Sequence, residues 1–283
     1  MLTTLHILLR MVKIEHSVFA LPFAYSGAFL AAGGWPGWAC LLPLTVAMVA
    51  VRSWAMGFNR LVDLPFDREN PRTQTRPLVT GEITPRATKI FLAVCGLVFV
   101  AACALLNPLC LALSLPALLI SAVYSYTKRF TWLCHFYLGL VLGLAPLAGW
   151  ISFAPSFGLP ALLLFWGVLF WVAGFDILYA LQDRELDREL GLYSLPASLG
   201  IETSLALSWF CHVNTSLLFL LAGMAASLSW PYYVVWAGVS ALLIWEHTLI
   251  KADDLSKITM AFFTLNGVVA VAYFGGVLLG ILT

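Results

Sequence analysis

Long apolar segments recur along this chain, and they constrain its fold more than any other feature. A helix needs ~20 mostly apolar residues to cross ~30 Å of bilayer hydrocarbon. Nine segments meet this requirement, at approximately 16–34, 38–62, 88–107, 109–126, 133–152, 159–181, 203–226, 230–250 and 258–282. The composition, 61% hydrophobic and 10% charged, is that of a bilayer protein. We therefore predict an all-α integral membrane fold, with nine transmembrane helices in one bundle and a single domain over residues 1–283.

The charged residues fall on one side of this predicted bundle. All 15 Lys and Arg residues lie on the N-terminal segment, or on or near the connections after spans two, four, six and eight. The positive-inside rule then places the N-terminus and these connections in the cytoplasm and the C-terminus outside. All 14 acidic residues share that side, which predicts a functional face at the cytoplasmic mouth. A net charge of +1 gives no electrostatic reason to expect nucleic acid.

The first polar cluster contains Asn59, Asp63 and Asp67. Their spacing of four places them on one face of a helix. Pro65 cannot donate a backbone hydrogen bond, so we expect the helix to kink or end near it, with Asp67 approaching from a loop. Two carboxylates and an amide are the oxygen ligands that suit Mg²⁺, which leaves its other positions to water and phosphate.

The second polar cluster contains Asp176, Asp183 and Asp187, with Tyr179 beside them. Spacings of seven and four predict that one helical face presents all three carboxylates. Asp176 lies within a predicted span, where an ionisable group is costly and indicates function. We expect its partner to be a metal ion or a cation of the first cluster.

Cations lie on the same predicted side, at Arg72, Arg76, Lys128 and Arg129. Arginine suits bidentate phosphate recognition and lysine supplies a point charge, although Lys128 and Arg129 are also compatible with simple positive-inside anchors. Metal-binding carboxylates surrounded by cations indicate a diphosphate site, and the apolar helices offer room for a hydrocarbon tail. A prenyl diphosphate satisfies both conditions.

Other polar residues have simpler interpretations. Arg52, seven residues before Asn59, is either a snorkelling side chain or a binding group for the carboxylate of an acceptor, and the sequence leaves both open. Solvated helix ends account for Glu69, Glu82, Arg86, Glu185, Glu189, Asp253 and Asp254. Interfacial polar groups account for Glu15, His16, His135 and His247.

With these residues the chain resembles the UbiA superfamily of intramembrane aromatic prenyltransferases. The family signature N-x-x-x-D-x-x-x-D is matched by Asn59, Asp63 and Asp67, and the R-x-x-x-R-P-L stretch begins at Arg72 and includes Arg76. The signature D-x-x-Y-x-x-x-D-x-x-x-D is matched by Asp176, Tyr179, Asp183 and Asp187. The segment 124–129, which contains Tyr124, Lys128 and Arg129, is similar to the family segment after span four.

The resemblance implies a Mg²⁺-dependent transfer of a polyprenyl group from polyprenyl diphosphate to a small aromatic acid. It implies metal ligands at Asn59, Asp63, Asp67, Asp183 and Asp187, and substrate-binding groups at Arg52, Arg72, Arg76, Tyr124, Lys128, Arg129, Asp176 and Tyr179. Within the family, the opening residues 13–17 and the length of 283 residues look most like those of bacterial 4-hydroxybenzoate polyprenyltransferases, which implies the bacterial cytoplasmic (inner) membrane. A dihydroxynaphthoate acceptor in the futalosine route to menaquinone is the alternative. Prenyl chain length and oligomeric state stay open.

Functions of other classes fit less well. A polytopic transporter needs polar access from both sides, whereas the predicted outer connections carry no charge. A membrane phosphatase or terpene cyclase would use the same diphosphate and release pyrophosphate without an acceptor. Haem or chlorophyll prenylation would use an acceptor other than a small carboxylated phenol.

Overall fold

The computed structural model describes residues 2–13, 19–250, 255 and 258–283, and every regular element in those ranges is helical. The predicted all-α class is therefore confirmed for the described part of the chain. Contacts divide the chain into two compact units. The first unit comprises Met1–Ser17 and Leu42–Tyr126, and the second comprises Val18–Leu41 and Thr127–Thr283. The single domain over residues 1–283 stays a prediction.

The first unit contains three long apolar helices and several short ones. Its elements are α1 (Leu2–Met11), most of α3 (Trp38–Val62), α4 (Leu64–Glu69), α5 (Pro77–Thr80), α6 (Pro85–Leu106) and nearly all of α7 (Pro108–Thr127). Small side chains such as Ala50 and Ala102 pack around Phe99 between the long helices. Met11 and Val12 cover Leu78 of α5, so the polar segment between α4 and α6 packs on an apolar base.

The second unit is built around one buried helix. Its elements are α2 (Leu21–Ala32), the start of α3, α8 (Cys134–Phe153), α9 (Leu159–Ala180), a 3₁₀ turn (Leu181–Asp183), α10 (Arg184–Glu189), α11 (Leu195–Leu199), α12 (Ile201–Ala225), α13 (Trp230–Leu249), α14 (Ile258–Met260), a π-helical turn (Ala261–Leu265) and α15 (Asn266–Leu282). α9 packs against α8 and α12. Phe23 of α2 closes the core on Trp171, with ring centroids 5.1 Å apart.

Seven helices among the described residues are long and apolar enough to cross a membrane. They are Trp38–Val62, Pro85–Leu106, Pro108–Thr127, Cys134–Phe153, Leu159–Glu189, Ile201–Ala225 and Phe263–Leu282. The other two predicted spans coincide with α2, which has 12 residues, and with α13, which has 20. Glu246, His247 and several Trp and Tyr residues lower the hydropathy of α13. The count of nine therefore stays a prediction.

The two helix breaks differ in detail from expectation. α3 ends at Val62, as Pro65 predicts, but Asp67 lies on the short helix α4 and not in a loop. Proline is compatible with the first turn of a helix because its missing N–H has no intrahelical partner there. In the second unit, α9 passes through the 3₁₀ turn before α10 begins. Three residues at 3.0 per turn rotate the following helix by about 60° relative to a continuous α-helix. Asp187 is therefore turned from the direction that a continuous helix would give it, and the single face for all three carboxylates stays a prediction.

The simpler interpretations of polar residues are confirmed in part. The exposed helix-end residues are Glu69, Glu82, Arg86, Glu185 and Glu189. His135 and His247 are only 2% and 8% exposed, so the interfacial interpretation of these two is wrong. Glu15, His16, Asp253 and Asp254 lie outside the described residues.

Glycine allows two helices of the second unit to meet backbone to backbone. A Cβ added to Gly149 of α8 would overlap the carbonyl oxygen of Ala24 on α2, and one added to Gly27 would overlap the carbonyl oxygen of Pro146. Small residues commonly permit such close approach between membrane helices. This contact fixes α2 against α8.

We expect Gly149→Ala to lower the unfolding temperature in detergent, because overpacking costs about 1–3 kcal/mol. The measurement is thermal unfolding followed by intrinsic fluorescence. Gly238→Ala is the matched control, since a Cβ at Gly238 meets nothing within 4 Å. An unchanged unfolding temperature for Gly149→Ala would contradict the close α2–α8 contact.

Candidate active site

The first signature lies across the break between α3 and α4. Asn59 Nδ2 donates to Asp63 Oδ2 at 2.7 Å. The backbone N–H of Asp63 donates to the carbonyl of Asn59 at 2.8 Å, and that of Asp67 donates to the carbonyl of Asp63 at 2.8 Å. The i to i−4 pattern thus continues across Asp63 despite Pro65. Helical spacing therefore keeps the three side chains on one face.

Asp67 is buried and tied to the cation of the R-x-x-x-R-P-L stretch. Arg76 Nη1 donates to both carboxylate oxygens of Asp67, at 2.6 and 2.7 Å. Thr73 Oγ1 donates to the carbonyl of Asp67 at 2.9 Å, so the turn before α5 folds back onto α4. The side chain of Asp67 is 9% exposed. Arg76 thus gives a carboxylate that is removed from water a charge-assisted partner.

Arg60 belongs to the same cluster, although the sequence analysis gave it no role. It is 7% exposed, and its Nη1 donates to Asn59 Oδ1 at 3.3 Å. Electrostatic interactions connect it to Arg76, Asp67, Asp63 and Tyr124. An arginine near the end of an apolar span is costly unless it is paired, and that signal could have identified it. Through Arg60 the structure brings Tyr124 of α7 to the first signature.

The remaining predicted residues of the first unit lie at the edges of this cluster. Arg72 is exposed in the turn between α4 and α5, where its backbone N–H donates to Asn70 Oδ1 at 2.9 Å. Arg52 is half-buried on α3, about two turns before Asn59.

In the second unit, Lys128 is paired with the last carboxylate of the second signature. Lys128 Nζ lies 2.7 Å from Asp187 Oδ1. Burial by itself lowers the pKa of Lys128, but the charge and hydrogen bond of Asp187, with a contribution from Asp183, outweigh it and raise the pKa above 10.5. Asp187 Oδ2 is buried and has no hydrogen-bond partner among the described residues. That oxygen keeps lone pairs that no hydrogen bond in the described part of the chain uses.

The backbone of Lys128 itself also holds this region. Its carbonyl accepts from the backbone N–H of Tyr193 at 2.7 Å, and Arg188 Nε donates to the carbonyl of Ala197 at 2.9 Å. One main-chain and one side-chain hydrogen bond therefore hold the end of α10 and the segment that follows it. Arg129, beside Lys128, is half-buried.

Asp176 has a partner that the sequence did not predict. His135 Nδ1 lies 2.7 Å from Asp176 Oδ2, because His135 lies in the first turn of α8 and α8 packs along α9. The 3₁₀ turn separates Asp176 from Asp187, and the two carboxylates have different partners. Tyr179 packs edge-on against Phe263, with ring centroids 6.2 Å apart.

The carboxylates are suited to a metal that takes few protein ligands. Within each unit, and among the described residues, no group of three His, Cys, Asp or Glu side chains is arranged to hold a metal ion. Mg²⁺ commonly uses one or two carboxylates and completes its shell with water and phosphate oxygens. The unpartnered oxygen of Asp187 and the amide–carboxylate pair of Asn59 and Asp63 fit that donor chemistry.

Comparisons with known proteins identify the family. The chain matches the UbiA prenyltransferase family over residues 20–268. A relative named 4-hydroxybenzoate octaprenyltransferase, from Methylobacillus flagellatus, is 32% identical over 88% of this chain and 84% of its own length. Another of that name, from Aeromonas salmonicida, is 31% identical over 88% of this chain and 86% of its own length.

Solved structures agree with this assignment. The apo structure of a UbiA homolog from Aeropyrum pernix K1 has a TM-score of 0.85 and 34% identity, covering 93% of this chain and 97% of that one. A UbiA homolog from Archaeoglobus fulgidus bound to DMAPP and Mg²⁺ has a TM-score of 0.69 at 20% identity, covering 96% and 98%, and it supports the fold alone. The chain belongs to the UbiA prenyltransferase family, and it is a prenyltransferase.

Proposed function

We propose that this protein transfers a polyprenyl group from polyprenyl diphosphate to 4-hydroxybenzoate in quinone biosynthesis. The observation that carries the proposal is the family match over residues 20–268, within which both signatures are complete. The names of the relatives favour 4-hydroxybenzoate as the acceptor. Prenylation of a dihydroxynaphthoate remains the alternative, and the assay below separates the two.

Asn59, Asp63, Asp67, Asp183 and Asp187 are the proposed ligands of Mg²⁺. Bound Mg²⁺ would neutralise the diphosphate and favour its departure as pyrophosphate. Support comes from the oxygen donors in both signatures and from the solved structures of a UbiA homolog from Archaeoglobus fulgidus bound to DMAPP or GPP with Mg²⁺.

The cations are proposed to bind and orient the phosphates. Arg76 and Lys128 already compensate carboxylates of the two signatures, so positive charge is fixed next to each proposed ligand group. The proposed substrate-binding residues are Arg52, Arg72, Arg76, Tyr124, Lys128, Arg129, Asp176 and Tyr179. The apolar helices would exclude water, which would otherwise capture the allylic cation before the aromatic ring attacks it.

The membrane arrangement is also part of the proposal. We infer nine spans in a single domain of the bacterial inner membrane, with the N-terminus in the cytoplasm and the C-terminus outside. The one-sided distribution of Lys and Arg supports this orientation. The functional face is then cytoplasmic, where a soluble aromatic acid has access.

We expect Asp63→Ala and Asp183→Ala each to lower prenyl transfer by about a hundredfold or more, because each removes a carboxylate that would hold the charge of the metal and the diphosphate. The assay uses protein in liposomes with Mg²⁺, farnesyl to octaprenyl diphosphates, and 4-hydroxybenzoate or dihydroxynaphthoate offered separately. Omission of Mg²⁺ should abolish transfer by the unaltered protein.

Matched controls are Glu69→Ala on α4 and Glu189→Ala on α10, since both carboxylates are exposed on the helices that carry Asp67 and Asp187. These two variants should retain activity. Pyrophosphate release without any prenylated acceptor would replace the transferase proposal with a hydrolase or cyclase.

Lys128→Met should lower kcat/KM for prenyl diphosphate by about tenfold or more, because supporting contacts of a site typically contribute that much. The folded state raises the pKa of Lys128, so the ion pair is fully formed below the ordinary pKa of 10.5 and is lost only as pH rises through the raised value. The activity of Lys128→Met, divided by that of the unaltered protein, should therefore have the same value at about pH 7 and at about pH 9. Lys89→Met, at an exposed site on α6, is the control, and a ratio that changes over this range would contradict the assignment.

If α13 spans the membrane, its two ends face opposite sides. We expect Ala225→Cys to react with a membrane-impermeant maleimide added outside intact cells, and Leu255→Cys to react only after permeabilisation. Ser156→Cys and Arg86→Cys serve as controls for the outer and inner faces. Labelling of positions 225 and 255 from the same side would exclude α13 as a span.

A further inference from the structure

We propose that His135 is a positioning residue that fixes the orientation of Asp176. The inference rests on the proposed role of Asp176 as a substrate-binding residue. His135 is the second residue of α8, and its side chain is 3% exposed, whereas that of Asp176 is 19% exposed. The histidine thus lies behind the carboxylate, away from the accessible surface.

The contacts of His135 determine which ring nitrogen carries the proton. The backbone N–H of Leu195 points at His135 Nε2, at 3.2 Å. A backbone N–H only donates, so Nε2 has to present its lone pair. The proton of the neutral ring is then on Nδ1, and Nδ1–H donates to Asp176 Oδ2 at 2.7 Å. Both ring nitrogens are satisfied only in this tautomer.

The helix that begins at Leu195 explains why this contact is retained. Leu195 is the first residue of α11, and the first N–H groups of a helix have no intrahelical partner. His135 Nε2 accepts from one of them. The same imidazole therefore caps α11 and anchors Asp176 on α9.

The consequence for Asp176 is a fixed direction. Both ring nitrogens of His135 are occupied by neighbours, Asp176 Oδ2 at 2.7 Å and the Leu195 N–H at 3.2 Å. With Oδ2 anchored, the rotation of the carboxylate is restricted and Oδ1 has a defined direction. Outer contacts of this kind orient the groups that touch a ligand, and their loss typically lowers activity 10- to 100-fold.

The test compares two substitutions of His135. His135→Leu removes both hydrogen bonds and should lower kcat/KM for prenyl transfer about 10- to 100-fold. In His135→Asn the side-chain amide supplies an N–H close to the position of Nδ1–H, and it should recover most of that loss. A purely structural role would instead lower the unfolding temperature of both variants and leave kcat/KM of the folded fraction unchanged, which would overturn the proposal.

A double-mutant cycle separates this inference from the proposed function. If His135 acts through Asp176, His135→Leu should have little further effect on kcat/KM in an Asp176→Asn background. Losses that multiply in the double variant would overturn the positioning role while leaving the transferase proposal intact. If Asp176→Asn alone retains full activity, the proposed role of Asp176 fails first, and the inference fails with it. Activity is compared only for variants that elute as the unaltered protein does in size-exclusion chromatography.

Discussion

A backbone N–H or C=O finds no partner in hydrocarbon, so each spanning segment has to satisfy its own groups as a helix. A break in such a helix is therefore tolerated only where protein or water satisfies the freed backbone groups. Both signatures of this protein lie at such places. Asp63 and Asp67 follow the end of α3 at Val62, and Asp183 ends the 3₁₀ turn after α9. Each interruption is short, and the backbone hydrogen bond from Asp67 to Asp63 continues across the first of them.

The carboxylates at these helix breaks also need positive charges that compensate them. A buried carboxylate without a partner is strongly destabilising. Arg76 provides the partner for Asp67, and Lys128 provides it for Asp187. Each unit thus balances its own signature locally. The compensation is incomplete at Asp187, where one oxygen is bonded and the other is not. Incomplete compensation is expected of a group that has a ligand to bind, and it would be unfavourable in a purely structural ion pair.

Much of this arrangement could be predicted from the sequence because its signals are local. Apolar length predicted the long helices, and spacings of four identified the two signatures. The effect of Pro65 could be predicted only in part. Its sequence position predicted that α3 ends nearby, but not that Pro65 itself would lie in the first turn of α4. The 3₁₀ turn after α9 has no comparable sequence signal. Partners such as Asp176 and His135, 41 residues apart, depend on the packing of α8 along α9 and cannot be read from spacing.

Lys128 holds α10 and the chain that follows it in two chemically different ways. Its ammonium group bonds Asp187, while its carbonyl accepts from the backbone N–H of Tyr193. The second link belongs to the main chain, so it is independent of which side chain occupies position 128. Substitution of this lysine would therefore remove the charge but keep the main-chain hydrogen bond. The course of the backbone here should persist in relatives that have a different residue at this position.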